Sequence, residues 1–233
     1  MNSQKNTFVP AHVGIILDGN RRWAKENCLP SLEGHRKGYD KLKDIATYAF
    51  DNGVGTLSAF IFSTENWNRT KKEVSYLMNL ALKMVTKDLA ELDKKNVRVV
   101  WLGSPAKLSQ KLINALKNAE ETTKNNTAGT LALCFNYGGR QEIVDAFVKL
   151  SQQGLEADSI TTELLAENLY QPQIPNVDLL IRTSGEQRIS NFMLWRSAYS
   201  ELYFTGKLWP DFSTIDFDAA ITEYGLRQRR FGQ

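Results

Sequence analysis

The chain has 233 residues, 42% hydrophobic and 24% charged, and a net charge of +3 from 29 basic and 26 acidic side chains. That length and apolar share suit one domain with a sizeable core, expected to span residues 1–233. So mild a positive balance leaves no nucleic-acid footprint, and no run reaches the roughly 18–20 apolar residues of a membrane span.

Strand-like and helix-like periods alternate from end to end, the pattern of a parallel-rich α/β sheet. A polar tail over residues 1–11 lacks the apolar stretch of a signal peptide. The predicted strands are 13–17, 56–62, 97–102, 130–135, 178–181 and 201–204. Between the first two, Leu42, Ile45, Ala46 and Ala49 share a helical face. A second helix is expected to run from Val74 through Leu77, Ala81, Met84, Val85 and Leu89 to Leu92. Leu108, Leu112, Ala115 and Ala119 mark a third, and Ile143, Ala146, Phe147 and Leu150 a fourth. These stripes read first as core packing, although a long apolar helix can also wall a tunnel. The expected fold is α/β, a single domain with a central, mostly parallel six-stranded sheet flanked by helices. Cys28 and Cys134 lack metal-type spacing, which favours a reducing, cytoplasmic setting over a disulfide framework.

Four polar clusters sit on or just after predicted strands, where open α/β sheets bind ligands. The first runs through Asp18, Gly19, Asn20, Arg21, Arg22 and Trp23, and the second through Ser63, Thr64, Glu65, Asn66, Trp67 and Arg69. The third holds Arg182, Ser184, Glu186, Arg188, Ile189 and Ser190, and the fourth centres on Glu201. Asp18 and Glu201 are a sparse carboxylate pair of the kind that holds Mg²⁺ with phosphate oxygens. The guanidinium groups can grip those oxygens in forked pairs. A diphosphate substrate follows, or two of them. Taken singly, each residue has a plainer reading: Asp18 as a helix N-cap, His35 as a structural histidine, Trp23 and Trp67 as core. His12 reads as the lead into its strand. P-loop and dinucleotide-binding glycine motifs are absent, as is any adjacent Asp pair. Tyr137-Gly138-Gly139-Arg140 reads as a structural turn into a helix.

In order along the chain, Asp18-Gly19-Asn20, Arg22-Trp23-Ala24, Gly34-His35, Phe62-Ser63-Thr64-Glu65-Asn66-Trp67 and Asn136-Tyr137-Gly138-Gly139-Arg140 resemble the motifs of the cis-prenyltransferase family. So do Ile181-Arg182-Thr183-Ser184-Gly185-Glu186, Arg188-Ile189-Ser190-Asn191-Phe192, Glu201-Leu202-Tyr203-Phe204 and Trp209-Pro210-Asp211-Phe212. The resemblance covers nearly the whole chain. It implies Mg²⁺-dependent condensation of isopentenyl diphosphate onto an allylic diphosphate such as farnesyl diphosphate, giving a Z-prenyl diphosphate such as undecaprenyl diphosphate. It implies Asp18 and Asn66 as catalytic residues and Asp18 with Glu201 as metal carboxylates. Gly19, Asn20, Arg21, Arg22, Trp23, Ser31 and His35 would surround the allylic diphosphate. Asn66 would serve proton removal, directly or through water, with Ser63, Thr64, Glu65, Trp67 and Arg69 around it. Arg182, Arg188, Ile189 and Ser190 would hold isopentenyl diphosphate. A dry apolar tunnel between sheet and helices would take the hydrocarbon.

The resemblance also implies a homodimer, with the basic 227–232 segment approaching the active site, and leaves open a peripheral membrane contact for product release. Several positions depart from the family pattern. Arg21 stands where glycine is usual, Ser31 where a base is usual, Ile61 where a small residue is usual, and Arg196 where glutamine is usual. Glu33 adds a negative charge near the expected diphosphate. Ile61 in a tunnel would shorten the product, so a short-chain Z-prenyl diphosphate synthase is the alternative. A non-catalytic prenyl-binding subunit would have lost the carboxylates and arginines kept here. A phosphate-ester hydrolase lacks its nucleophile.

Overall fold

In the computed structural model, residues 9–155 and 157–227 are described; most of the polar amino-terminal tail and of the basic 227–232 segment lies outside them. Six strands form one all-parallel sheet: β1 (His12–Ile16), β2 (Thr56–Ser63), β3 (Val97–Leu102), β4 (Gly129–Tyr137), β5 (Leu179–Arg182) and β6 (Glu201–Phe204). Their order across the sheet is β3-β4-β2-β1-β5-β6. Each parallel neighbour requires a crossover, which helices supply except between β5 and β6, where residues 183–200 cross in turns and bends. The helices are α1 (Asn20–Glu26), α2 (Ser31–Asp51), α3 (Lys71–Met84), α4 (Leu89–Lys94), α5 (Gln110–Thr123), α6 (Gly139–Gln152), α7 (Thr162–Glu167) and α8 (Thr214–Leu226).

Alternate strand residues divide between two apolar layers, as the period of two requires. Val13, Ile15, Leu131 and Leu133 join the larger core beneath α2, α3, α4, α5 and α8. Ile16, Ala132, Cys134 and Leu180 join a second core with Tyr137 and Phe192. The six predicted strands all occur, each within two residues of its expected bounds at either end. The expected second helix is instead two, because the chain turns between Met84 and Leu89. Asp88 there accepts hydrogen bonds from Tyr39 and Lys83, and the apolar spacing survives because both pieces face the same core. Phe147 was expected on the buried face of α6 but is 54% exposed, and Leu108 precedes α5 rather than belonging to it. Both cysteines are free thiols. Among the described residues, no helix is long and apolar enough to cross a membrane.

The carboxyl end of β1 is built by close helix contact. Gly19 adopts φ 107°, and a side chain there would press on Leu208. A Cβ on Gly34 would lie 1.9 Å from the Asn20 carbonyl oxygen, so α1 and α2 can meet only at a glycine.

His12 opens β1 as a fully buried histidine. Its Nδ1 donates to the Pro175 carbonyl at 2.8 Å, and its Nε2 lies 2.7 Å from Ser58 Oγ. Burial pushes the imidazole down from 6.5 to about 4. Between those values the unfolded chain binds a proton that the native chain refuses, so stability falls as pH drops. Urea unfolding at pH 7 and pH 5 is expected to show a loss of about 2 kcal/mol from this group. Equal midpoints at the two pH values would contradict the assignment.

Candidate active site

Asp18 follows β1, and Arg182 ends the neighbouring β5, where Ile16 and Arg182 are in register. The carboxylate and guanidinium meet at 2.8 Å, although 164 residues separate them. Asp18 Oδ1 also accepts the Gly19 N–H at 2.8 Å, while Thr183 Oγ1 and the Trp209 N–H donate to its carbonyl. Burial alone would raise the Asp18 carboxyl, but Arg182, Ser184 and the Gly19 N–H outweigh it and hold it below the usual carboxylate range. The residue at the N-cap of α1 is Gly19, so the simple capping role for Asp18 does not arise.

Two cavities adjoin at this point. One, of about 530 Å³, is lined by Asp18, Ser63, Asn66, Arg69, Arg182 and Ser190, among others. The other, of about 510 Å³, carries Gly19, Arg21, Arg22, Lys25 and Ser31. Asp18, Asn20, His35 and Arg69 line both. Each cavity therefore offers cationic donors, and a single carboxylate stands where they join.

The β2 side is supplied by a 3₁₀ turn, Thr64–Asn68. Its capping box fixes Asn66, whose Oδ1 accepts the Ser63 N–H at 3.2 Å. That leaves the Nδ2 half of the amide for a ligand. Arg69 reaches Glu73 at 2.9 Å, and His35 Nε2 meets the same oxygen at 3.0 Å. Burial lowers the His35 imidazole against the pull of Glu73. For Glu73, burial is outweighed by His35 and Arg69, which keep its carboxyl low. Arg182 also donates to Ser190 Oγ at 2.7 Å and to the Arg188 carbonyl, while its buried Nε has no partner among the described residues.

The other expected site residues divide between the cavity walls and positions outside them. Arg188 is exposed and paired with Glu186, and its carbonyl accepts from Arg182. Arg22 borders the second cavity but donates to the Ser184 carbonyl at 2.8 Å, with Glu186 at 3.4 Å. Trp23 is half-buried rather than core, bonded to Asp211 at 2.7 Å; Trp67 is also half-buried, bonded to Asn136 at 2.7 Å. Thr64 and Ile189 do not border either cavity; Ile189 packs on the second core. Glu65 lines the first cavity and accepts from Asn191 at 3.0 Å. Glu33 faces Arg36 at 2.8 Å rather than the cavities.

Glu201 is the clear departure. It opens β6 and is in register with Leu179, which is level with Val13 at the amino end of β1. At about 3.3 Å per residue, three residues to the level of Ile16 are already about 10 Å, and Asp18 lies beyond. Its carboxylate pairs with Arg227 at 2.8 Å. Within one chain the expected carboxylate pair is therefore not assembled, because a parallel sheet puts Glu201 at the opposite end. Lys25, Phe60 and Glu73 were not anticipated, and Asn191 stood in the third cluster without an assigned role. Of these, Glu73 had a sequence signal in its i+4 spacing from Arg69, and Asn191 in its place beside Ser190 in the third polar cluster.

The family model described as "Putative undecaprenyl diphosphate synthase" matches residues 16–232. An isoprenyl transferase of Thermotoga maritima is 46% identical over 96% of this chain and 97% of its own length. A trans,polycis-polyprenyl diphosphate synthase ((2Z,6E)-farnesyl diphosphate specific) of Thermobifida fusca is 47% identical, covering 97% of this chain and 81% of its own. The crystal structure of lavandulyl diphosphate synthase from Lavandula x intermedia, in complex with dimethylallyl diphosphate, superimposes with a TM-score of 0.92 at 36% identity. It covers 97% of this chain and 99% of that one. The chain thus belongs to the undecaprenyl diphosphate synthase family and is a cis-prenyltransferase.

Proposed function

We propose that the protein condenses isopentenyl diphosphate with an allylic diphosphate in an Mg²⁺-dependent reaction, forming a Z-prenyl diphosphate. The observation that carries this reading is the pair of cationic cavities meeting at Asp18. Arg21, Arg22, Lys25 and Ser31 suit the allylic diphosphate; Arg182 and Ser190 suit isopentenyl diphosphate, with Arg69 reaching both.

Mg²⁺ takes few carboxylates and completes its octahedron with phosphate oxygens and water, so one ionised Asp18 at the junction fits it. When bound, the ion would supply Lewis-acid stabilisation to a departing diphosphate. Glu201 would take no part in that coordination within the same chain. As the allylic C–O bond breaks, its electron pair leaves with the diphosphate, and preorganised Arg side chains meet the growing charge. A C–C bond forms to the alkene of isopentenyl diphosphate, and a proton passes from the new cation to the released diphosphate or to water, restoring a double bond. Asn66, with Oδ1 held by the Ser63 N–H, positions a group through its Nδ2 and is not itself the base. His35, Glu73 and Arg69 hold one another at the wall, which keeps Arg69 extended between the cavities.

A shorter product than C55 is the second reading. It rests on Ile61, which borders both the first cavity and the narrow apolar slot beyond it. A homodimer and a cytoplasmic setting belong to the same proposal, as does one domain over residues 1–233. Purified protein with labelled isopentenyl diphosphate and farnesyl, geranyl or dimethylallyl diphosphate should elongate at least one primer with Mg²⁺. Chelation by EDTA should stop it, and fresh Mg²⁺ should restore it. No elongation of any primer would overturn the reading, and a C55 main product would overturn the short-chain form.

A further inference from the structure

Beyond the first cavity an apolar slot continues between α2, α3 and β2, with Ile61, Tyr39, Leu42, Leu77, Leu80 and Met84 in its walls. Its volume is only about 50 Å³. That is about a tenth of either polar cavity, so the slot is the tight part of the connected space. On the solvent side of the same two helices runs a groove of about 290 Å³, bordered by Arg36, Asp40, Tyr76, Asn79 and Lys83. Tyr39 and Leu80 line both spaces and are the partition between them.

Tyr39 is built to stay in place. The residue is 5% exposed, and its hydroxyl donates to Asp88. The ammonium groups of Lys43 and Lys83 lie 5.3 and 5.0 Å from its centroid, and Lys83 also pairs with Asp88 at 2.9 Å. The aromatic face is thus flanked by cations and the hydroxyl is tied to their counter-charge.

We infer that Tyr39 is a specificity-determining residue that limits product length by walling the slot off from the groove; this rests on the prenyl-transfer reading above. A growing hydrocarbon leaves the polar cavities only where apolar surface shelters it, and the slot is that continuation. Forcing further methylenes against a pinned ring is overpacking, so elongation ends there. Removing the ring joins slot and groove between α2 and α3, giving the tail a lateral way out.

The test compares products by mass from full-length wild type and variants with isopentenyl diphosphate, a short allylic primer, Mg²⁺ and detergent. Tyr39→Ala and Tyr39→Leu are expected to make a main product at least one five-carbon unit longer than wild type. Tyr39→Phe keeps the ring and should keep the wild-type length. Should both smaller variants fail to fold by circular dichroism, Leu80→Ala opens the same partition and must lengthen the product. Unchanged lengths in the folded variants of an active enzyme overturn the Tyr39 assignment alone. A wild type that consumes no isopentenyl diphosphate sinks the prenyl-transfer reading itself.

Discussion

Asp18→Ala is expected to abolish turnover, with kcat falling by roughly 10³-fold or more, while the fold survives. Among the described residues Asp18 is the one carboxylate common to both cavities, and it is held ionised by Arg182 and its own neighbouring N–H. Its side chain is one-third exposed, so truncation leaves no large void. Arg182 retains its bonds to Ser190 and the Arg188 carbonyl, which limits the structural cost. Asp18→Asn separates charge from shape, since the amide keeps an acceptor for the Gly19 N–H but holds a cation poorly. Both variants should melt near the parent temperature and both should be inactive. An Asn variant close to the parent rate would show that charge at this position is dispensable, and the proposed site would fall with it.

The largest stability loss is expected at a site remote from the chemistry. Arg196 and Glu142 form an ion pair at 2.6 Å, with side chains 3% and 0% exposed. Arg196 also donates to the carbonyls of Ile174, Tyr170 and Gln171, and Tyr137 donates to Glu142. Removing one partner of such a pair strands the other charge in the core, which costs about 3–5 kcal/mol. Arg196→Met should therefore unfold at markedly lower urea or temperature, with Arg196→Met/Glu142→Gln recovering part of the loss. A change under about 1 kcal/mol in the single variant would contradict the buried-pair description. The cluster ties α6 to the segment that carries Ser190 and Phe192, so a loosened pair should also weaken isopentenyl diphosphate binding.

The local chemistry of the chain already determined much of this. Continuous apolar runs such as Val13 to Leu17 can be buried only on both faces of a parallel sheet, and helical stripes between them supply the crossovers. Polar clusters directly after such runs placed Asp18, Ser63 and Arg182 at one sheet edge. Periodicity reports which face is buried but not which neighbour buries it. It therefore extended one helix across the turn at Asp88 and put Phe147 in the core. Only the tertiary structure decided that Arg69, His35 and Glu73 converge, that Arg22 and Arg188 pair with Glu186, and that Tyr39 separates slot from groove. It also decided Glu201. A carboxylate on a strand reaches the ligand edge only if it stands at that strand's carboxyl end, and strand direction and register arise from pairing across the sheet, which no local pattern contains.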